Sequence, residues 1–238
     1  MSPPLATYRL QLHAGFDLDA AAAVVPYLAT LGVSHVYTSP ILQAAAGSTH
    51  GYDVVDHGRI SDELGGAVAF DRLVAAARGA GLGLVVDIVP NHMAIGPANA
   101  WWWDVLKHGP ASRFAGYFDV DWDPPEGRLR NLILLPVLAD HYGRVLEAGD
   151  LRLDRREGDL VVTYGDHSFP LDPDSLGPEL AAASDDAIAS VNADADRLDA
   201  LLQVQNYRLA FWRASSRDLG YRRFFDIDTR VGLRVEDP

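Results

Sequence analysis

Residues 82–89 read LGLVVDIV, an almost uninterrupted apolar run that contains a single aspartate. Such a run is typical of a strand that is buried on both faces of a parallel sheet. Upstream of it, residues 8–12 and 33–38 are predicted as strands, and residues 17–31 and 67–79 as helices. Strand, helix, strand, helix and strand within about 80 residues predict an α/β fold with right-handed crossovers.

Single residues set the expected ends of the first helix. Asp17 is a suitable N-cap, and Gly32 stands where a helix-ending glycine belongs. Pro26 lies between them and predicts either a kink or a later start. Between the second strand and the second helix, residues 43–66 are predicted to form a long polar loop.

The strand–helix alternation stops after Pro90. Residues 91–183 are predicted as an inserted, irregular subdomain without helix–strand alternation, including a hairpin whose arms, 151–153 and 160–164, are joined by residues 156–159. Residues 184–215 are predicted as one long helix. Its apolar face would be formed by Leu198, Leu201, Leu202, Leu209 and Phe211. The predicted domains are residues 1–90, 91–183 and 184–238.

Composition and charge restrict the class of protein. The chain is 48% hydrophobic and 22% charged, as expected of a globular protein. Its net charge of −13 disfavours nucleic acid and anionic membrane surfaces as partners, whereas a neutral sugar is compatible. The chain has no cysteine, no apolar run of the roughly 20 residues that cross a bilayer, and no signal-peptide pattern at its first residues. We therefore expect a cytoplasmic protein.

Polar residues cluster where the predicted strands end. The clusters are Tyr37-Thr38-Ser39-Pro40, His50-Gly51-Tyr52-Asp53 and Asp87-Ile88-Val89-Pro90-Asn91-His92. Residues at these ends face the substrate in a (β/α)₈ barrel. Because a carboxylate in a buried strand needs a partner, Asp87 predicts a salt bridge in an active-site floor or, alternatively, a tie to a neighbouring loop. His92 is either a donor to a sugar hydroxyl or an ordinary loop histidine.

Three consecutive tryptophans, Trp101, Trp102 and Trp103, fall in the predicted insertion. They favour a buried subdomain core over the lining of a glucan cleft.

Two short motifs resemble the α-amylase clan of glycoside hydrolases. The pattern Asp87-x-x-x-Asn91-His92 resembles the clan's first signature region, and Gly51-Tyr52-Asp53 resembles its loop after the second strand. Longer strings are similar to the N-terminal portion of maltooligosyl trehalose synthases in particular. They are YRLQL (8–12), YTSP (37–40), GSTHGYDV (47–54), NYR (206–208) and YRRFFDI (221–227). This resemblance covers nearly the whole chain and implies the N-terminal part of a (β/α)₈ TIM barrel, with an inserted subdomain after its third strand.

The resemblance also implies roles for individual residues. Tyr52 would stack its ring on the glucose at the cleaved subsite, and Asp53 would hydrogen-bond hydroxyls of that glucose. His92 would contact its 6-hydroxyl, and Asp87 would orient the catalytic floor through an arginine. Asn91 ties the inserted domain to the barrel in many clan members, sometimes through calcium. No other residues suggest an oxygen cage for calcium, so no metal and no cofactor is expected.

Members of the resembled family are (1→4)-α-D-glucan 1-α-D-glucosylmutases, isomerases that convert the reducing-end α-1,4 linkage of a maltooligosaccharide to α,α-1,1. Their clan places the nucleophile in a Gly-x-Arg-x-Asp pattern after the fourth strand. The string Gly232-Leu233-Arg234-Val235-Glu236 has glutamate instead, so Arg234 and Glu236 are not assigned as catalytic. The nucleophile and acid are expected outside this chain, and the remainder of the barrel would be needed for activity.

We therefore expect the 238-residue chain to be inactive alone, as a truncated polypeptide, a gene fragment or half of a split enzyme. Two alternatives stay open. One is a non-catalytic α-glucan-binding module that uses Tyr52, Asp53 and His92. The other is a fragment of another hydrolase or transglucosidase of the clan.

Overall fold

The structure is a computed structural model that describes residues 3–182, 184–213, 219–224 and 227–236, with residues 227 and 228 described by their backbone alone. The chain divides into two compact units, residues 1–94 and residues 95–238. Among the helices of these described ranges, none has both the length and the apolar character that crossing a membrane requires.

The first unit is built on a parallel sheet. Its strands are β1 (Thr7–Leu10), β2 (His35–Thr38), β3 (Leu42–Ala44), β4 (Val54–Ile60), β5 (Gly83–Val86) and β6 (His92–Ala94), and its α-helices are α1 (Leu18–Leu31) and α2 (Gly66–Gly79). Strands β1, β2 and β5 are parallel, with β2 in the middle. The predicted strand–helix alternation is confirmed, and its five elements are β1, α1, β2, α2 and β5.

The ends of α1 lie where the sequence predicts them. The Asp17 side chain accepts a hydrogen bond from the backbone N–H of Ala20 at 2.8 Å, and Gly32 ends the helix with a φ of 87°. Pro26 lies inside the helix, so the predicted alternative of a later start is wrong. Proline removes one backbone hydrogen bond, but the helix buries an apolar face on both sides of it. That face consists of Leu18, Ala21, Val25 and Leu28.

Two predictions for the first unit are wrong in detail. Residues 43–66 are not one loop, since β3 and β4 form an antiparallel pair with an irregular register. The predicted strand at 82–89 is shorter, β5 ending at Val86, and its residues are half-buried instead of fully buried. Within the described residues β5 pairs only with β2, and an edge strand is less enclosed than a central one. A Cβ at position 83 of β5 would lie 2.1 Å from the His35 ring, so a larger residue there would require that ring to move.

The second unit mixes helices with three small sheets. Its helices are α3 (Ala100–His108), α4 (Tyr142–Glu147), α5 (Pro178–Ala181), α6 (Asp185–Asn192) and α7 (Ala195–Gln203), and its strands are β7 (Ile133–Leu138), β8 (Arg152–Arg156), β9 (Asp159–Tyr164), β10 (His167–Pro170), β11 (Tyr207–Phe211), β12 (Arg223–Phe224) and β13 (Ile227–Gly232). β8, β9 and β10 form an antiparallel meander, and β12 pairs with β13. β7 and β11 are parallel. Within residues 91–183 the elements α3, β7, α4 and β8 alternate along the chain, so the prediction of a subdomain without helix–strand alternation is wrong.

The predicted hairpin is confirmed as β8 and β9. Arg156 pairs with Asp159, so only Glu157 and Gly158 form the turn, two residues fewer than expected. Both turn residues have positive φ, 54° and 93°, which is the geometry of the two-residue turns that match strand twist.

The single long helix predicted for 184–215 is wrong. The chain forms α6 and α7 there and then the strand β11, which contains Leu209 and Phe211. The break lies at Asp194, whose side chain accepts from the N–H groups of Asp196 and Arg197 at 3.0 and 3.2 Å and so starts a new helix. Residues 214 and 215 of the predicted helix lie outside the described residues.

The core prediction for the tryptophans is confirmed for Trp102, which is 1% exposed. Its ring lies 5.1 Å from Phe118 and 5.6 Å from Tyr221, centroid to centroid. The predicted domain boundaries at 90 and 183 stay predictions, and the two compact units meet between residues 94 and 95.

Candidate substrate-binding site

Strand register brings the first site residues onto one face of the sheet. Arg9 of β1 pairs with Tyr37 of β2, and Tyr37 pairs with Val85 of β5. Alternate residues of a strand share a face, so Asp87, two positions after Val85, extends this row just past the end of β5. Arg9, Tyr37 and Asp87 therefore meet near the carboxyl ends of three neighbouring parallel strands.

The Asp87 carboxylate is surrounded by donors. Its Oδ2 accepts from the Tyr52 hydroxyl at 2.6 Å and from the Tyr37 hydroxyl at 3.2 Å. The Arg9 guanidinium lies 3.7 Å from the same oxygen, and 20% of the Asp87 side chain is exposed. A carboxylate in a buried strand needs partners, and this one has an arginine and two hydroxyl donors.

The Tyr52 hydroxyl lies between the Arg9 guanidinium and the Asp87 carboxylate and hydrogen-bonds to both. It accepts from Arg9 Nη2 at 3.1 Å while it donates to Asp87. The hydrogen bond to Asp87 and partial burial raise the pKa of Tyr52 above its usual value, so the hydroxyl stays protonated and remains a donor. Gln11 in turn accepts from Arg9 Nη1 at 2.7 Å, and the guanidinium lies 5.4 Å from the centre of the Tyr37 ring.

His92 contacts the backbone of Tyr52. The imidazole is 2% exposed, and its Nε2 donates to the Tyr52 carbonyl oxygen at 2.9 Å. Its Nδ1 lies 3.0 Å from the Asn91 side-chain oxygen, and Asn91 itself is exposed. Both ring nitrogens of His92 are therefore in contact with protein groups.

Asp53 stabilises the loop that carries Tyr52. Its Oδ1 accepts a hydrogen bond from the Ser48 hydroxyl and lies 3.6 Å from His50 Nδ1. The same nitrogen accepts the Tyr52 backbone N–H at 3.0 Å. Gly51 is required in this loop, because its φ is 77° and a Cβ would lie 2.7 Å from the Pro40 carbonyl oxygen.

The structure thus brings Tyr52, Asp87, His92 and Asn91 into one chain of contacts, while Asp53 bonds within the Ser48–Tyr52 loop. The prediction missed Arg9, although that residue lies in the YRLQL string and shares the strand register. No group of three or more histidines, cysteines, aspartates or glutamates among the described residues could hold a metal ion.

Known proteins match this chain along its length. The putative maltooligosyl trehalose synthase of Mycobacterium tuberculosis is 44% identical over 99% of this chain and 28% of the relative. The solved maltooligosyltrehalose synthase from Arthrobacter ramosus is 40% identical, with a TM-score of 0.81 over 99% of this chain and 28% of that one. The intracellular maltogenic amylase of Bacillus subtilis is 32% identical over 58% of this chain.

The chain therefore spans 28% of the length of the Mycobacterium tuberculosis relative and of the Arthrobacter ramosus enzyme. Residues 14–139, just over half of the chain, match the catalytic domain of the alpha amylases. This chain belongs to the alpha-amylase catalytic-domain family.

Proposed function

We propose that this chain supplies part of the sugar-binding floor of a maltooligosyl trehalose synthase. Such an enzyme converts the reducing-end α-1,4 linkage of a maltooligosaccharide into an α,α-1,1 linkage by intramolecular transfer. The observation that carries the proposal is the Asp87 carboxylate held by Tyr52, Tyr37 and Arg9 near the carboxyl ends of parallel strands. These ends are where barrel enzymes of this kind bind substrate.

Tyr52 is the residue that would stack on the glucose at the cleaved subsite. The residue is held at two points, since its side-chain hydroxyl bonds to Asp87 and its backbone carbonyl accepts from His92. An aromatic ring fixed in this way offers a pyranose a flat apolar surface at little entropic cost. Instead of the predicted contact with the 6-hydroxyl of that glucose, His92 would act as a positioning residue through Tyr52, because both of its ring nitrogens contact protein groups. Asp53 would hydrogen-bond hydroxyls of the glucose, and Asn91 would contribute a hydrogen bond at the rim.

The complete activity would need residues beyond those in this chain. Retaining transfer uses a nucleophile and an acid–base carboxylate about 5–5.5 Å apart. We propose that a (β/α)₈ barrel, with residues 91–183 as its insertion, would pair the outer edges of β1 and β5, each of which pairs only with β2 in the described ranges. Arg234 donates to the Val120 carbonyl oxygen at 3.0 Å, a structural use that favours leaving it out of the catalytic set.

A chimera tests the proposal. The segment of the Arthrobacter ramosus enzyme that this chain matches is replaced by this chain, and maltopentaose is the substrate. We expect reducing ends to disappear without release of glucose. Asp87→Asn should lower the rate at least about 100-fold, because a misplaced active-site group has an effect of that size. Asp71→Asn, on the exposed face of α2, is the matched control and should act like the parent chimera.

The outcomes separate the alternatives. A folded chimera that leaves the reducing ends unchanged contradicts the proposal. Release of glucose or maltose instead would favour a hydrolase of the clan, the activity suggested by the name of the Bacillus subtilis relative. Equal rates for Asp87→Asn and Asp71→Asn would remove Asp87 from the site.

A further inference from the structure

The three tryptophans of α3 differ in what surrounds them. Trp101 stacks on Phe114 with ring centroids 5.6 Å apart, and Trp102 is fully buried in the core. Trp103 is partly exposed, and in the described part of the chain its indole has neither an aromatic partner nor a hydrogen bond. The exposed part of this indole is therefore available to another molecule.

Trp103 lines a cavity that lies within the second unit. The cavity has a volume of about 780 Å³, and α3 and the β8–β9 hairpin form its walls. Its lining includes Trp103, Asp104, Lys107, His108, Arg156 and Glu157. A volume of this size falls within the range of roughly 300–1,000 Å³ that is usual for small-ligand pockets.

The charges around the cavity largely compensate each other. Lys107 Nζ lies 3.1 Å from Asp159 Oδ2, which joins α3 to the hairpin across the cavity wall. Arg156 lies 3.7 Å from Asp154 outside the cavity lining. Because acids and bases are both present, the field favours neither an anion nor a cation strongly. The basic side chains donate hydrogen bonds and the acidic side chains accept them. Together with the partly exposed Trp103 indole, they suit a neutral ring that carries several hydroxyl groups.

We propose that this cavity is a second α-glucan-binding site, in which one glucosyl ring stacks on Trp103 and its hydroxyls bond to the charged rim. The site lies in a different unit from Tyr52 and Asp87 and uses none of their contacts. Only the choice of an α-glucan over another neutral sugar rests on the proposed function.

Indole resonances of the intact chain test the site directly. The chain has five tryptophans, so its ¹H–¹⁵N spectrum should contain five indole signals, and Trp103→Phe identifies the one that belongs to Trp103. Added maltoheptaose should shift the Trp103 signal and leave that of buried Trp102 in place. Sorbitol at the same mass concentration should shift neither. A Trp103 signal that does not move with maltoheptaose, or that moves equally with sorbitol, overturns the proposal.

Titration calorimetry with maltoheptaose supplies the second measurement. Trp103→Ala should weaken binding at this site by at least about tenfold, and Trp103→Phe by less, because part of the stacking surface remains. Trp212→Ala is the matched control, since Trp212 is exposed and does not line the cavity. Equal affinity in Trp103→Ala and Trp212→Ala overturns the proposal.

The two proposals can fail separately. Tyr52→Phe should leave the maltoheptaose shift of Trp103 unchanged, and a shift lost in that variant would contradict a separate site. An inactive chimera with a responsive Trp103 removes only the proposed function, whereas an active chimera with a silent Trp103 removes only this second site.

Discussion

Tyr52→Phe removes one oxygen atom from the contacts around Asp87 and leaves the aromatic ring in place. The lost hydroxyl donates to Asp87 at 2.6 Å and accepts from Arg9 at 3.1 Å. A hydrogen bond to a charged group contributes about 1.5–3 kcal/mol. Because Asp87 keeps Tyr37 and Arg9 and 20% of its side chain is exposed, we expect the free energy of unfolding to fall by only about 1–1.5 kcal/mol.

Urea unfolding followed by far-UV circular dichroism measures this change, since α1 and α2 of the first unit contribute to the signal. Tryptophan fluorescence provides an internal reference, because all five tryptophans lie between residues 101 and 212, in the second unit. Tyr27→Phe is the matched control, since Tyr27 is 63% exposed on α1 and its hydroxyl has no hydrogen bond to any described residue. Unfolding energies of the two variants that agree within about 0.3 kcal/mol would refute the reasoning.

Two further changes test the loop and the helix pair of the first unit. Gly51→Ala should destabilise the chain more than Gly47→Ala in urea unfolding, because both glycines have positive φ but only the Cβ at position 51 would meet the Pro40 carbonyl oxygen. Equal losses would contradict the clash. The hydrogen bond from Arg72 lowers the pKa of Asp19, so this pair stabilises the fold above the ordinary aspartate pKa of about 3.9, and the contribution is lost as the pH falls through the lowered value. Asp19→Asn should therefore lower the urea midpoint at about pH 7 and leave it unchanged at about pH 2, and a difference that persists in acid would count against the pair.

Local signals made the first unit predictable. Asp17 and Gly32 each have one physical reason to stand at a helix end, and both lie there. The apolar run around Val85 is explained by its place in a parallel sheet. The helix ends depend on residues at the ends themselves, so pattern and structure agree there, whereas the strand predicted at 82–89 exists but ends earlier, at Val86.

The helix prediction for residues 184–215 was wrong because the same residues are compatible with two structures. Residues 184–215 have leucines at helical spacing, but Asp194 can cap a helix as well as lie on the polar face of one. Its capping hydrogen bonds start the new helix α7, so the helical pattern is interrupted at Asp194. Leu209 lies further on, in β11, where pairing with β7 decides its conformation. Pairing with a distant strand cannot be read from a short window, and it overrides helix propensity.

Arg9 was missed for a different reason, because neither of the two short clan motifs includes it and the YRLQL string that contains it indicates no role for it. Its position follows from register alone: Arg9 pairs with Tyr37, Tyr37 pairs with Val85, and Asp87 shares the face of Val85. Once three parallel strands are predicted, the alternation of side chains already requires some residue of β1 to face Asp87. A carboxylate at that position needs a cation or donors, and Arg9 is the charged residue that β1 contains. Arginine at position 9 was therefore predictable from the need of Asp87 for a partner, and not from a signature.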